Sequence, residues 1–177
     1  EGTVVIRVWR AYMEIEKKFL VRKLPENLTQ YSVKHMEQGY LCTDPVLRIR
    51  KSNDRYILTY KSRIGLEGQE GVRVNQEIEA PLHKNGYEHL RSKVDGSLII
   101  KDRYIIPLPD GHTGELDIFH GVLEGLVFIE VEFVDQEDAQ RFEPPEWFGD
   151  NVSDDHRYSN SFLSTCKDLS VFSIGKC

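Results

Sequence analysis

The stretch Met13-Glu14-Ile15-Glu16-Lys17-Lys18-Phe19-Leu20-Val21 decides the fold. On an extended chain Ile15 and Phe19 fall on one face and Glu14, Glu16 and Lys18 on the other, a period of two that belongs to a strand and not to a helix. The same alternation returns, between turn residues, at 32–41, 46–51, 55–62, 72–80, 97–106, 114–119 and 127–134. Ser52-Asn53-Asp54 and the glycine-rich 65–71 read as hairpin connections. Helical spacing is confined to 84–94, through Tyr87, Leu90 and Val94, and to 135–142. The pattern predicts a mainly β, α+β fold: eight antiparallel strands closed into a barrel, with a few outer helices. Eight strands make a barrel just wide enough for side chains or one small ligand.

The charged faces carry the functional information. Acids sit two apart on single strands, as Glu14 with Glu16, Glu77 with Glu79, Glu115 with Asp117 and Glu130 with Glu132. The bases do the same in Arg48 with Arg50 and Lys101 with Arg103, joined by Lys18, Lys61 and Arg73. One such pair is most simply the wet face of a one-sided sheet. The whole set is not, because a random surface mixes both signs with Ser, Thr and Gln, and the alternate positions, such as Leu47 with Ile49 and Leu116 with Ile118, need burial themselves. If outer helices or a second copy in a homodimer cover the apolar side, the charges point into the lumen, where they are costly unless compensated. A polyphosphate with divalent cations compensates both signs. Arginine and lysine hold phosphate oxygens, and clustered carboxylates are hard ligands for Mg2+ or Mn2+.

Composition narrows the field. At 177 residues the chain fits one domain, and 23 basic against 29 acidic residues, net charge −6, argue against nucleic acid as the main partner. No apolar run approaches the roughly 18 residues of a membrane span, and no signal peptide opens the chain, so no membrane role is expected. Cys42, Cys166 and Cys177 have no CxxC spacing and fit reduced thiols in a cytoplasmic protein. The six histidines are dispersed, without HExxH, and neither a GxSxG elbow nor a Walker A loop occurs. Trp147-Phe148 is more simply core than the closure of a barrel end.

The ordered series Glu14-Ile15-Glu16-Lys17-Lys18, Gln38-Gly39-Tyr40-Leu41, Arg48-Ile49-Arg50, Tyr60-Lys61, Arg73 with Glu77-Ile78-Glu79, Lys101-Asp102-Arg103, Glu115-Leu116-Asp117 and Glu130-Val131-Glu132-Phe133 resembles the CYTH, or triphosphate tunnel metalloenzyme, superfamily, whose hallmark is an ExExK strand. The resemblance spans about residues 13 to 163, and Ser153 stands where the bacterial members often have Thr. It implies a tunnel in which Glu14, Glu16 and Glu132 hold one Mg2+ or Mn2+, with Glu130 and Asp117 near a second. It further implies Lys18, Arg48, Arg50, Lys61, Lys101 and Arg103 along the phosphate path, with Lys18, Arg48 and Arg50 closest to the chemistry, and Arg73, Glu77, Glu79 and Glu115 on neighbouring walls. The bacterial inorganic tripolyphosphatases are most similar, which implies inorganic tripolyphosphate as the substrate. A nucleoside or thiamine triphosphatase, a class IV-like adenylyl cyclase and a non-catalytic polyphosphate-binding module remain alternatives within the same fold. On this reading residues 1–12 are a leader or upstream extension, 13–164 the tunnel domain and 165–177 a partly disordered tail.

Overall fold

The computed structural model describes residues 11–62 and 70–172. Nine antiparallel strands form one sheet: β1 (Ala11–Val21), β2 (Ser32–Thr43), β3 (Val46–Ser52), β4 (Arg55–Ser62), β5 (Arg73–Pro81), β6 (Asp95–Pro107), β7 (Thr113–His120), β8 (Val127–Phe133) and β9 (Phe148–Asn151). Their order is β5-β4-β3-β2-β6-β7-β8-β1-β9, and a β5–β1 pairing closes the first eight into the expected barrel. β1 is the closing strand. Its first half pairs with β5, from Ala11↔Ile78 to Glu16↔Arg73, and its second half with β8, as in Glu16↔Glu132 and Lys18↔Glu130.

The Ser52-Asn53-Asp54 connection between β3 and β4 behaves as its residues require. Asn53 takes a left-handed φ of 50°, which Asn tolerates at a tight turn, and it is pinned to β2 by Asn53 N–His35 O and His35 N–Asn53 Oδ1 hydrogen bonds of 2.9 Å each. Gly39 lies within β2 for a steric reason: a Cβ there would sit 2.5 Å from Val94 Cγ1, where the chain entering β6 crosses the strand. The 65–69 part of the glycine-rich connection lies outside the described residues, as do residues 1–10 and 173–177.

Three helices decorate the barrel: α1 (Lys84–Arg91), α2 (Gln136–Arg141) and α3 (Asn160–Leu163). α1 packs on β3 and β4, α2 on β1 and β8, and α3 on β2. Apolar material collects in two places. Outside the barrel, Ile15, Phe19, Leu116, Ile129, Val131 and Phe133 meet Ala139, Phe142 and Phe148. At one end of the barrel Tyr40, Ile99, Phe119, Leu123, Leu126, Phe128 and Leu163 form a second cluster. Each such large apolar side chain contributes about 1.5–3 kcal/mol when fully buried.

Two features depart from the sequence reading. β1 begins at Ala11, two residues inside the expected leader, because residues 11 and 12 continue the β5 ladder. The polar stretch after residue 143 also contains a strand: β9 pairs with β1 through Phe19↔Asn151 and Val21↔Phe148, and Phe148 joins the outer core. Trp147 stands beside it, outside the barrel, so the pair does not close a tunnel end. Of the expected tail, Leu169 and Phe172 pack against the second cluster, Phe172 with its ring centroid 4.8 Å from that of Tyr158.

Candidate active site

Alternation along the strands aims one set of side chains into a cavity of about 920 Å³ inside the barrel. β1 supplies Glu14, Glu16 and Lys18, β3 Arg48 and Arg50, β4 Lys61, β5 Glu77 and Glu79, β6 Lys101 and Arg103, β7 Glu115, and β8 Glu130 and Glu132. Asp117 is the exception. It shares the inward face of Glu115 but is wholly buried beneath the cavity, where its carboxylate accepts from Arg103 Nε and Nη2 at 2.6 Å each and from Lys101 Nζ. The Arg73 side chain lies outside the described part of the structure.

The basic groups divide into satisfied and unsatisfied ones. Lys18 pairs with Glu130 Oε1 at 2.9 Å. Lys61 Nζ donates to Glu14 Oε2 at 2.5 Å and lies 3.0 Å from Glu77 Oε2, and Asn75 Nδ2 also donates to Glu14 Oε2 at 3.1 Å. Arg103 is shared among Asp117, Glu115 and Glu130. Arg48 and Arg50 are less complete: Arg48 Nη2 is 3.6 Å from Glu77 and 3.3 Å from Thr59 Oγ1, Arg50 Nη2 donates to Glu79 at 2.7 Å, and the buried Nε of both arginines has no partner among the described residues. A buried donor left unmet is costly, and here two of them border a cavity.

The acids opposite are crowded. Glu16 pairs with Glu132 in the β1–β8 ladder and Glu115 with Glu130 in the β7–β8 ladder. Glu16 and Glu132 have no ion-pair partner among the described residues. Burial, followed by the charges of Glu14 and Glu130, raises the Glu16 pKa. Burial and the charges of Glu115, Glu14, Glu16 and Glu130 push Glu132 up to about 7. Glu132 is exposed on β8, so the crowding of carboxylates around it matters more there than at the buried Glu16. Glu130 goes the other way: despite burial, Lys18 and Arg103 hold it well below the carboxylate range. Burial, followed by the charge of Arg48, lowers Arg50, and burial, followed by the charge of Arg103, brings Lys101 down to about 8. The wall of β3 therefore carries cations alone, and on the wall of β1 and β8 Lys18 is taken up by Glu130 and Lys61 by Glu14, which leaves Glu16 and Glu132 without a counter-charge among the described residues.

Among the described residues no three carboxylate, imidazole or thiol groups converge as a ready-made metal centre. Glu14, Glu16 and Glu132 nonetheless fit a hard divalent cation, since all are oxygen donors and two are raised by mutual repulsion that a cation relieves. Such an ion would draw its remaining ligands from the substrate. Several lining residues had no role assigned by the sequence reading. Gln38 and Tyr40 of β2, part of the family series but given no task there, line the cavity on the face of Met36. His156, Ser159, Asn160 and Ser161 line it as well, from a segment with no periodicity to betray it.

A closed eight-stranded barrel whose lumen pairs a cationic wall with a carboxylate wall is the architecture of a triphosphate tunnel protein. No family model matches the chain. Over 154 residues the chain is 40% identical to an inorganic triphosphatase of Nitrosomonas europaea, spanning 85% of this chain and 96% of that protein. Over 153 residues it is 35% identical to an inorganic triphosphatase of Acetivibrio thermocellus, spanning 85% and 92%. The crystal structure of the inorganic triphosphatase NE1496 superposes with a TM-score of 0.65 at 37% identity, covering 88% of this chain and 97% of that one. The chain belongs to the inorganic triphosphatase family, within the triphosphate tunnel superfamily.

Proposed function

We propose that this protein hydrolyses inorganic tripolyphosphate to pyrophosphate and phosphate with a divalent cation, Mg2+ or Mn2+. The observation that carries this reading is the pair of cavity-lining arginines, Arg48 and Arg50, whose buried Nε donors have no partner among the described residues. Phosphate oxygens are the acceptors that planar, multiply donating groups match best. The lining holds eight cations (Lys18, Lys34, Arg48, Arg50, Arg55, Lys61, Lys101, Arg103) against nine carboxylates (Glu14, Glu16, Asp44, Asp54, Glu77, Glu79, Glu115, Glu130, Glu132). A site this close to neutral accepts a polyanion only together with positive charge, and Glu14, Glu16 and Glu132 are the residues that would hold the ion. When bound, the ion supplies neutralisation of the phosphate charge.

The residues of the chain then bind and orient. In hydrolysis the oxygen of a water joins the terminal phosphorus while the bridging oxygen leaves with pyrophosphate, so charge grows on the leaving oxygen. Arg48, Arg50 and Arg103 are the groups to meet it. Asp117 acts from beneath the cavity, fixing Arg103 and Lys101; that is a positioning role in place of the second-metal contact that the family resemblance implies. Preference for the bare phosphate chain rests on the lining, whose one tyrosine, Tyr40, is itself buried. Tyr60, Tyr104, Trp147 and Phe148 do not line the cavity, which among the described residues leaves His156 as the one exposed ring for a base or thiamine, where a fuller platform contributes about 1–3 kcal/mol per stacked ring.

The test is phosphate release from tripolyphosphate, ATP, thiamine triphosphate and pyrophosphate with Mg2+ or Mn2+, repeated with EDTA. Tripolyphosphate is expected to lead in kcat/KM and EDTA to stop turnover. Equal or faster ATP cleavage would refute the phosphate-only reading, and binding without release would make the protein a binding module.

A further inference from the structure

Lys18 sits among the acids of β1, but its surroundings differ from those of the arginines. It is 2% exposed. Its ammonium lies 2.9 Å from Glu130 Oε1, donates to the Tyr158 carbonyl at 2.8 Å, and stands 4.4 Å from the ring centroid of Phe128. An ammonium has three donors, and these contacts take up the directions available to them. The backbone of the same residue holds the same segment twice more: Lys18 N donates to Ser153 Oγ at 2.9 Å, and Val152 N donates to Lys18 O at 2.8 Å. One residue thus grips the chain at positions 152, 153 and 158. Directly beyond that grip, His156, Ser159, Asn160 and Ser161 form part of the cavity lining.

We propose that Lys18 is a positioning residue, which seats the segment 152–161 as a wall of the cavity, and not a ligand of the phosphate chain. The proposal rests on reading that cavity as the triphosphate site. It accounts for the residue type: a compact ammonium on a flexible stem can reach a carbonyl and a carboxylate in a nearly closed pocket, whereas a planar guanidinium needs more room. It also gives Glu130 a task within the wall, as the counter-charge that keeps the ammonium in place.

Hydrogen exchange read by mass spectrometry, together with steady-state kinetics on tripolyphosphate and Mg2+, tests this in Lys18→Met and Ser153→Ala. The second variant removes one grip while leaving the ammonium intact. In Lys18→Met the amides of 152–163 are expected to exchange faster while β2 to β4 stay protected. KM is expected to rise about tenfold and kcat to fall less, since a wall is lost and not the reacting groups. Ser153→Ala is expected to show the same pattern at about threefold. A merely destabilised protein would lose active fraction, and so kcat, at constant KM. The proposal is overturned if Lys18→Met loses affinity with exchange at 152–163 unchanged and Ser153→Ala behaves as wild type. Should Lys18→Met fail to fold, Ser153→Ala decides alone. If the wild type does not cleave tripolyphosphate, the reading of the cavity falls, while the exchange comparison still decides whether Lys18 holds the segment.

Discussion

Two buried acids of the barrel have opposite relations to its stability. Glu16 is crowded by Glu14 and Glu130 and its pKa is raised, so in the folded protein its charge is unfavourable above the ordinary carboxylate range. Glu16→Gln is therefore expected to abolish turnover yet to raise the Tm of the metal-free protein; a Tm below wild type would contradict the crowding. This is the trade between stability and activity seen where a site is strained for function. Asp117 is surrounded by Lys101 and Arg103. Asp117→Asn leaves two buried cations short of their counter-charge and is expected to cost about 3–5 kcal/mol in chemical denaturation. A loss under about 1 kcal/mol would mean that the carboxylate is not what holds them. The sequence gives both residues the same appearance, an acid in a charged stripe. Spacing assigns a face of a strand but not the depth at which a side chain lies on it, and so the resemblance could place Asp117 near a metal while its neighbours are Lys101 and Arg103.

At the scale of elements, α2 is fastened to the β6–β7 hairpin by one histidine. His112 Nδ1 contacts Asp110 at 2.8 Å and Nε2 contacts Asp138 at 3.1 Å, with the rings of Phe133 and Phe142 edge-on at 5.2 and 5.4 Å. Partial burial lowers the His112 pKa, but the bonds to Asp138 and Asp110 outweigh it and the net direction is upward. A raised folded-state pKa contributes stability that is fully present below the unfolded value of about 6.5 and is lost as pH rises through the folded one. The Tm is expected to fall across that window in wild type and to fall less in His112→Gln; parallel curves would show that the clasp does not titrate. The β elements were legible because each has one wet, charged face and one dry face. β9 was not, because Phe148-Gly149-Asp150-Asn151 is too short to show a period and is extended only by virtue of pairing with β1. The wall of 156–161 was equally silent, being placed by tertiary bonds to Lys18 and not by any local preference.

For the molecule as a whole, the nearly balanced lumen predicts that ligand and ion stabilise each other. Tripolyphosphate and Mg2+ together are expected to raise the Tm by more than the sum of their separate effects, as linkage requires when each supplies what the other lacks; additive shifts would mean two independent sites. The closure of the barrel by β1 bears on how the protein is made. Glu16 and its ladder partner Glu132 are separated by 116 positions (132 − 16), and the grip of Lys18 on Ser153 spans 135. Synthesis delivers the ExExK strand before all three of its partners, β5, β8 and β9, so the nascent β1 emerges unpaired and its second half waits for most of the remaining strands to follow. Strands β2 to β7 can pair with their neighbours as they appear, while the final closure must bring the two ends together, a non-local step of the kind that makes folding slow. Arg48 and Arg50 can meet Glu77 and Glu79 before that step, but Glu16 and Glu132 come together only with it, and a ribosome-bound chain stalled before β8 holds a curved open sheet with half of a phosphate site.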